Sequence, residues 1–387
     1  MNVFCSIFSQ LLQLFPRIEF HEMVKKHDAE RSAKGFTCWG QFVSMLFCQF
    51  GRAHSLREIV NGLRSCEGKL KHLGIDAPKR TTLAYANQHR PWELYRDVFF
   101  GILARCKSEV TGRTKFRFKN KLLSLDSSTI DLCLSMYDWA KFRRTKGAVK
   151  LHLVLDHDGY LPSFAVITDG KGSDVKVAHT LRFDSGTIVV DDRGYNDFSL
   201  FAKWTLQDVY FVTRLKSNTL YEVMESREVP KNRNILRDQT IRLTGPKAEE
   251  KCPYLLRLVE AYDPETDRTF VFLTNNFKLG ASTISAIYKD RWAVELFFKA
   301  LKQNLKIKTF IGTSANAVKI QIWTALIAML VLRYLQLKSK YNWSLSNLVS
   351  LLRMTLFTHR NLWAWLDSPF DTLPLQYNPD QMGFSYA

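Results

Sequence analysis

"LLSLDSSTIDLCL", residues 122–134, is where the chain changes texture, and its reading decides the fold. Apolar residues here fall in short runs among Ser, Thr and Asp, as in a strand and not a helix. The pattern returns in "AVKLHLVLD" (148–156), "YLPSFAVITDG" (160–170), "TIVVDDRG" (187–194) and "VYFVTRLK" (209–216). "DHDG" (156–159) joins two of these as a hairpin through its Asp-Gly turn. "SDVKVAHTLRF" (173–183) and "NDFSLFAKWTL" (196–206) read as helices. Three meandering strands, then helix, strand, helix and strand, predict a mixed α/β sheet covered by helices. Residues 217–278 interrupt that order. They are polar and charge-rich at first, then strand-like in "YLLRLVEAY" (254–262) and "RTFVFLTNN" (268–276), joined by "DPETD".

Upstream, residues 1 to 110 read as helical. "CWGQFVSMLFCQF" (38–50) and "SLREIVNGLRSC" (55–66) have helical periodicity and meet at "GRAH". "APKRTTLAYANQHRPWELYRDVFFGILARC" (77–106) opens with Pro and a Thr pair suited to capping, and reads on as helix. These short basic helices fit a helix-turn-helix reader of DNA, or a bundle whose basic face is simply solvated. Both readings stay open. Downstream of 313 the chain is helical and aromatic, with a Pro-rich tail expected to be partly disordered. No internal repeat or low-complexity tract is visible.

A chain of 387 residues can bury two or three cores. Its net charge of +18, spread through folded-looking segments, favours a polyanion as partner, and among polyanions nucleic acid. Seven Cys without a C-x-x-C pair argue against a disulfide framework or zinc ribbon, and fit a reducing cytosol. No basic n-region precedes the first apolar residues, so no signal peptide is read. The longest apolar run, "IWTALIAMLVL" (322–332), is too short for a membrane span and reads as a core helix. No G-x-x-x-x-G-K-[ST] loop is present, so no nucleotide cofactor is implied.

Two strands end in acids, "LLSLD" at Asp126 and "TIVVDD" at Asp191–Asp192. Burying an ionised carboxylate is costly unless it binds a metal, pairs with a cation or caps the next element. Turn and cap chemistry is a real alternative for both. Asp191 has the wrong strand parity if Asp192 faces a site, and Asp156 reads as a turn residue. His152, His157 and His179 lack metal-ligand spacing and read as surface or hydrogen-bonded core residues. A third acid comes from "YKDRWAVELFFKALK" (288–302). On one α-helix Tyr288, Arg291, Glu295 and Lys302 fall within about 60° of one another. Trp292, Val294, Leu296, Phe297, Phe298 and Leu301 cover most of the remaining surface, so that helix is expected to be buried. Asp126, Asp192 and Glu295 could together hold two Mg²⁺ ions, which prefer oxygen ligands and polarise a phosphodiester. Arg291 and Lys302 suit phosphate, and Tyr288 can donate a hydrogen bond to it or orient Glu295. The alternative for the stripe is an Arg291–Glu295 ion pair on a solvated face.

Taken together, Y-x₂-R-x₃-E-x₆-K at Tyr288, Arg291, Glu295 and Lys302 resembles the signature of a large family of bacterial insertion-sequence transposases of the DDE class. "LLSLDSST" and "VVDDRGY" resemble its two Asp motifs, and residues 8–50 resemble the leader domain of one branch. The resemblance covers most of the chain, in order. It implies a ribonuclease H-like mixed sheet with flanking helices, a β-rich insertion, and helical N- and C-terminal regions. The expected domains are a DNA-binding region at 1–115, a catalytic domain at 116–312 interrupted by the insertion at 217–278, and a helical region at 313–387. Also implied is cut-and-paste transposition with two Mg²⁺ ions, for which Mn²⁺ can substitute. A first nick frees a 3′-OH, which attacks the opposite strand to give a hairpin, reopened before strand transfer. Asp126, Asp192 and Glu295 would hold the metals, and Arg291, Lys302 and Tyr288 the phosphate near the hairpin. The implied partners are double-stranded DNA, at terminal inverted repeats and at the target, and a second copy in a synaptic homodimer. The implied place is the bacterial cytoplasm at the nucleoid, without a membrane. Some relatives stack a flipped base on a Trp in the insertion; residues 217–278 have none, and Tyr221, Tyr254, Phe270 or Phe272 could serve. A non-catalytic DNA-binding protein derived from a transposase, or a nuclease that cuts without joining, would share much of this pattern.

Overall fold

Successive strand residues point to opposite faces, so a sheet covered on both sides needs apolar residues at both parities. The computed structural model describes residues 5–371 except 32, 34, 67, 111–114, 134, 135, 138, 144, 145, 230, 232 and 308. The expected disorder of the Pro-rich tail from residue 372 lies outside the described residues. The chain divides into two compact units, Thr111–Lys299, and Met1–Val110 together with Ala300–Ala387.

The first unit is built on one ten-stranded sheet. Its strands are β1 (Leu122–Leu132), β2 (Lys141–Arg143), β3 (Lys146–Asp156), β4 (Leu161–Asp169), β5 (Ile188–Val190), β6 (Tyr210–Arg214), β7 (Tyr221–Ser226), β8 (Ile235–Leu243), β9 (Leu256–Asp263) and β10 (Arg268–Thr274). They run in the order β2-β3-β1-β5-β6-β10-β9-β8-β7, with β4 also beside β3. β1, β3 and β4 form an antiparallel meander, and β5 and β6 follow in parallel with β1. The strands of 217–278 extend this same sheet, because β10 pairs antiparallel with β6. β7 and β8 lie in the stretch that read only as polar. β7 is an edge strand exposed along almost its whole length, so no apolar alternation marks it.

On one face Leu122, Ile188, Val190, Val212, Val259 and Phe272 pack against Ala281, Ile284 and Ile287 of the Ala281–Asp290 helix. On the other, Leu123, Leu125, Val189, Phe211 and Leu258 pack against Leu200, Phe201 and Trp204 of the Phe198–Leu206 helix.

In the second unit the Ala315–Lys338 helix is capped by Ser314 and buried along most of its length. By length and composition it could cross a membrane, but its burial within the fold is that of a core helix. All thirteen residues of the Cys38–Phe50 helix are buried too. The stretch 77–106, read as one helix, is two: Arg80–His89 and Glu93–Glu109. Pro91 forces the break, since the residue before a proline avoids the helical region, and Arg90 is extended (φ −76°, ψ 140°). The Thr pair lies inside the first of these helices, whose N-cap, Lys79, makes no side-chain cap bond.

Candidate active site

Asp126 does not end its strand, as its apolar approach suggested. It is the fifth of eleven residues in β1, opposite Leu153 of β3. What ends near it is the pairing with β5, whose last register pair is Ser124 with Val190. Carried two residues along both parallel strands, that register brings Asp126 level with Asp192. Both acids share the parity of Leu122, Ile188 and Val190, hence the face covered by the Ala281–Asp290 helix. Asp191, one residue past the end of β5, has the parity of Val189 and is fully buried. Burial, then the nearby Asp192, hold its carboxyl well above the usual range, against Thr213.

Cap chemistry is present at Asp192, which accepts from Gly194 N at 2.7 Å. Asp126, inside β1, caps nothing and accepts from the adjacent Ser127 N at 2.7 Å. A Cβ on Gly194 would stand 2.8 Å from Asp192 Oδ1, so the x-G-Y turn after Asp192 leaves room for the carboxylate.

The signature residues are not on one helix. The first helix closes at Asp290 and the second runs Trp292–Asn304, with Arg291 between them in helical conformation. There the hydrogen bonds tighten to three residues, Arg291 N to Tyr288 O at 3.2 Å and Val294 N to Arg291 O at 3.1 Å. Nor is the helix buried all round: Trp292 and Leu296, four residues apart, are 56% and 50% exposed. Composition cannot tell which side of a helix meets the core. Lys302 is seven residues beyond Glu295 on this second helix, past the unit boundary.

Arg291 links two of the acids. Its guanidinium stands 3.5 Å from Asp126 Oδ2 and 2.5 Å from Glu295 Oε1. The i,i+4 ion pair therefore exists, but not on a solvated face, since the Arg291 side chain is only 11% exposed. Tyr288 packs on Phe272 and lies under the Arg291 guanidinium, 5.4 Å from ring centroid to Cζ. Burial pushes the Asp126 carboxyl up to about 7, and Asp192 and Glu295 add to this against the pull of Ser127 N and Arg291. Asp192 and Glu295 thus each lie within electrostatic reach of Asp126. Among the described residues no three His, Cys, Asp or Glu side chains form a ready-made metal cage. The donor chemistry nevertheless fits a hard divalent cation: carboxylate oxygens that repel one another, offset by a single guanidinium that could move aside.

Sequence reasoning missed the group that anchors this junction. Ser124 Oγ lies 2.6 Å from His157 Nε2, and His157 Nδ1 lies 2.6 Å from Asp290 Oδ2. Lys115 also bonds Asp290, and Tyr160 Oη donates to it at 3.3 Å. All of Ser124, His157 and Asp290 are buried or nearly so, so the chain is a tether and not an accessible nucleophile. It ties β1, the turn after β3 and the helix end immediately before Arg291. The only signal was that "DHDG" and "YKDR" each hold one of its members. Asp156, by contrast, closes β3 where the hairpin turn begins, accepting from Asp158 N at 3.1 Å and pairing with Lys121 at 3.2 Å. His152 and His179 are hydrogen-bonded, to Thr168 and Asp197. Of the stacking candidates, Phe272 is core, 3% exposed, and so is closed to a base; Phe270 is half-buried with Arg214 5.0 Å over its ring. Tyr221 and Tyr254 pack against the opposite core.

Residues 117–331 match the family described as "Transposase DDE domain", and residues 5–76 match a domain of unknown function, DUF4372. A protein of Sinorhizobium fredii named as a transposase, y4zB, is 31% identical over 80% of this chain and 87% of its own length. A protein of Geobacillus stearothermophilus, named as a transposase for insertion sequence element IS5377, is 29% identical over 69% of this chain and 70% of its own. A piggyBac transposase, solved as a synaptic complex with hairpin DNA, is a distant structural likeness at 14% identity and a TM-score of 0.39, over 97% of this chain and 84% of that one. With the family match spanning more than half its length and a relative aligned across most of both chains, this protein belongs to the insertion-sequence transposases with a transposase DDE domain.

Proposed function

We propose that the protein is a metal-dependent DNA transposase that excises and reinserts an insertion sequence, working on a ribonuclease H-like core through a DNA hairpin. The antiparallel meander followed by two parallel strands supports the ribonuclease H-like reading. The observation that carries the catalytic reading is Arg291 bridging Asp126 and Glu295, beside the register that brings Asp192 level with Asp126.

Asp126, Asp192 and Glu295 would hold the divalent ions, Mg²⁺ or Mn²⁺. Once bound, a pair of such ions polarises the attacking and leaving oxygens of a phosphodiester. Arg291, freed from its two carboxylates, is placed to take a phosphate, with Lys302 further along the helix and Tyr288 beneath the guanidinium. Asp192 is held by the Gly194 amide, and the helix junction by Asp290 and His157, so little must be ordered when DNA arrives. The partners in this reading are double-stranded DNA, at terminal inverted repeats and at the target, and a second copy of the chain in the synaptic complex. Residues 1–115 would contribute DNA binding and 116–312 the chemistry, in the bacterial cytoplasm.

Glu295→Gln tests the proposal. It should abolish Mg²⁺-dependent cleavage at the ends of the cognate element while leaving DNA affinity largely intact. Full cleavage by this variant would remove the three-acid site.

A further inference from the structure

The second unit carries a cleft of about 800 Å³ on the N-terminal helices, lined by Arg57, Arg64, Lys71, Lys79 and Arg80 together with Val60, Leu70 and Ile75. Asp76 is the acid among its lining residues. All five basic side chains are exposed, and none has an ion-pair partner among the described residues. Glu58, on the same helix as Arg57 and Arg64, is taken up in a capping box, accepting from His54 N at 2.9 Å while Ser55 caps Glu58 N. Arg57 and Arg80 also line an adjoining hollow of about 530 Å³ with His54, Thr81 and Phe310. Lys306 Nζ lies 2.6 Å from Nδ1 of His54, one of the residues lining that hollow. Lys306 and Arg353 are held below their ordinary values by burial first and then by the neighbouring Arg52. From the cleft, the Arg80–His89 helix presents Arg80, Thr81, Tyr85, Gln88 and His89 outward. Tyr85 is 66% exposed, its ring stacked on His89 at 4.0 Å.

Unpaired cations concentrated along a cleft are poorly explained by solubility, which favours mixed charge and not one sign in a concavity. We infer that this cleft seats the phosphate backbone of duplex DNA, with Arg57, Arg64, Lys71, Lys79 and Arg80 as phosphate contacts and the outward face of the Arg80–His89 helix against a DNA groove. The inference rests on the reading of the chain as a DNA transposase and names which of its N-terminal helices meet DNA. A rod bearing regularly spaced phosphates matches a row of guanidinium and ammonium groups, and an exposed helix with polar and aromatic side chains suits a major groove.

The experiment compares full-length protein with a triple variant, Arg57→Ala, Arg64→Ala and Arg80→Ala, binding a fluorescein-labelled DNA duplex of arbitrary sequence across a salt series. Each lost phosphate contact should lower the slope of log affinity against log salt by about 0.9, so the triple variant should lose between 2 and 3 in slope and about tenfold or more in affinity. The charge-keeping triple of Arg→Lys at the same positions should retain most of the slope, which separates lost contact from lost fold. A control removing equal charge at the exposed Lys171, Lys247 and Lys340 should leave the slope near wild type. An unchanged slope in the Ala variant, or an equal fall in the control, overturns the cleft as the DNA seat. Cleaved ends from a wild-type protein whose cleft variant binds normally would refute this inference alone. Cleft-dependent binding without any Mg²⁺-dependent cleavage would instead refute the catalytic reading and leave the cleft standing.

Discussion

Asp290→Asn isolates the tether behind the candidate active site. Burial pushes the Asp290 carboxyl up, but hydrogen bonds from His157 and Lys115 outweigh it and hold the group below the usual carboxylate range. The Asp290 and His157 side chains are 7% and 6% exposed, so their contact is a charge-assisted bond in a dry setting, worth about 1.5–3 kcal/mol. Lys115 is 62% exposed, and its ion pair adds at most about 1 kcal/mol. Replacing the carboxylate with an amide of the same shape should therefore cost about 2–4 kcal/mol. For a unit the size of Thr111–Lys299 that is a fall of roughly 5–15 °C in Tm by differential scanning calorimetry. The pH dependence has a fixed sign. A carboxyl with a depressed folded pKa stabilises above its unfolded value, near about 3.9, and loses that contribution as pH falls through the folded value. The gap between wild type and variant should accordingly be full at neutral pH and close in acid. Because Arg291 follows Asp290 directly, strand cleavage should fall at least about tenfold while DNA affinity changes little. A melting temperature within about 2 °C of wild type at neutral pH, with cleavage unchanged, would show that the junction is held by packing alone.

Two further substitutions probe the acids and their cation. Arg291→Ala should slow hairpin formation more than first-strand nicking, measured on labelled element ends; equal loss in both steps would mean that Arg291 mainly orients Glu295. Gly194→Ala introduces a methyl 2.8 Å from Asp192 Oδ1. The clash is with the end of a movable side chain, so stability should change by less than about 1 kcal/mol while cleavage drops, and intact activity would show that the Asp192 position is not critical.

Much of this was readable from residues alone, for identifiable reasons. β1, β3, β5 and β6 were legible because largely buried strands carry short apolar runs, and β4 because the "DHDG" turn marks where it begins. β7 was not, because an exposed edge strand buries too little to leave a pattern. The helical pattern of 77–106 was visible, but its Thr pair lies inside the helix and caps nothing, and Pro91 divides the stretch in two. At the site, spacing suggested grouping Tyr288, Arg291, Glu295 and Lys302, on the assumption of one unbroken helix buried on every side. Trp292 and Leu296 show the limit of that assumption, since a helix exposes whichever face its neighbours leave uncovered.

What the linear order determined is the chemistry available: acids following apolar runs, a cation and an acid one helical turn apart, and a basic excess suited to a polyanion. What only tertiary structure decided is their company. The pairing register of β1 with β5 brings Asp126 level with Asp192, and Arg291 spans from Asp126 to Glu295. Ser124, His157 and Asp290, up to 166 residues apart (290 − 124), close into one buried tether. Local sequence encodes dihedral preference and periodicity, which act over a few residues. Register and burial arise when distant segments compete for the same core, and no window along the chain contains that competition.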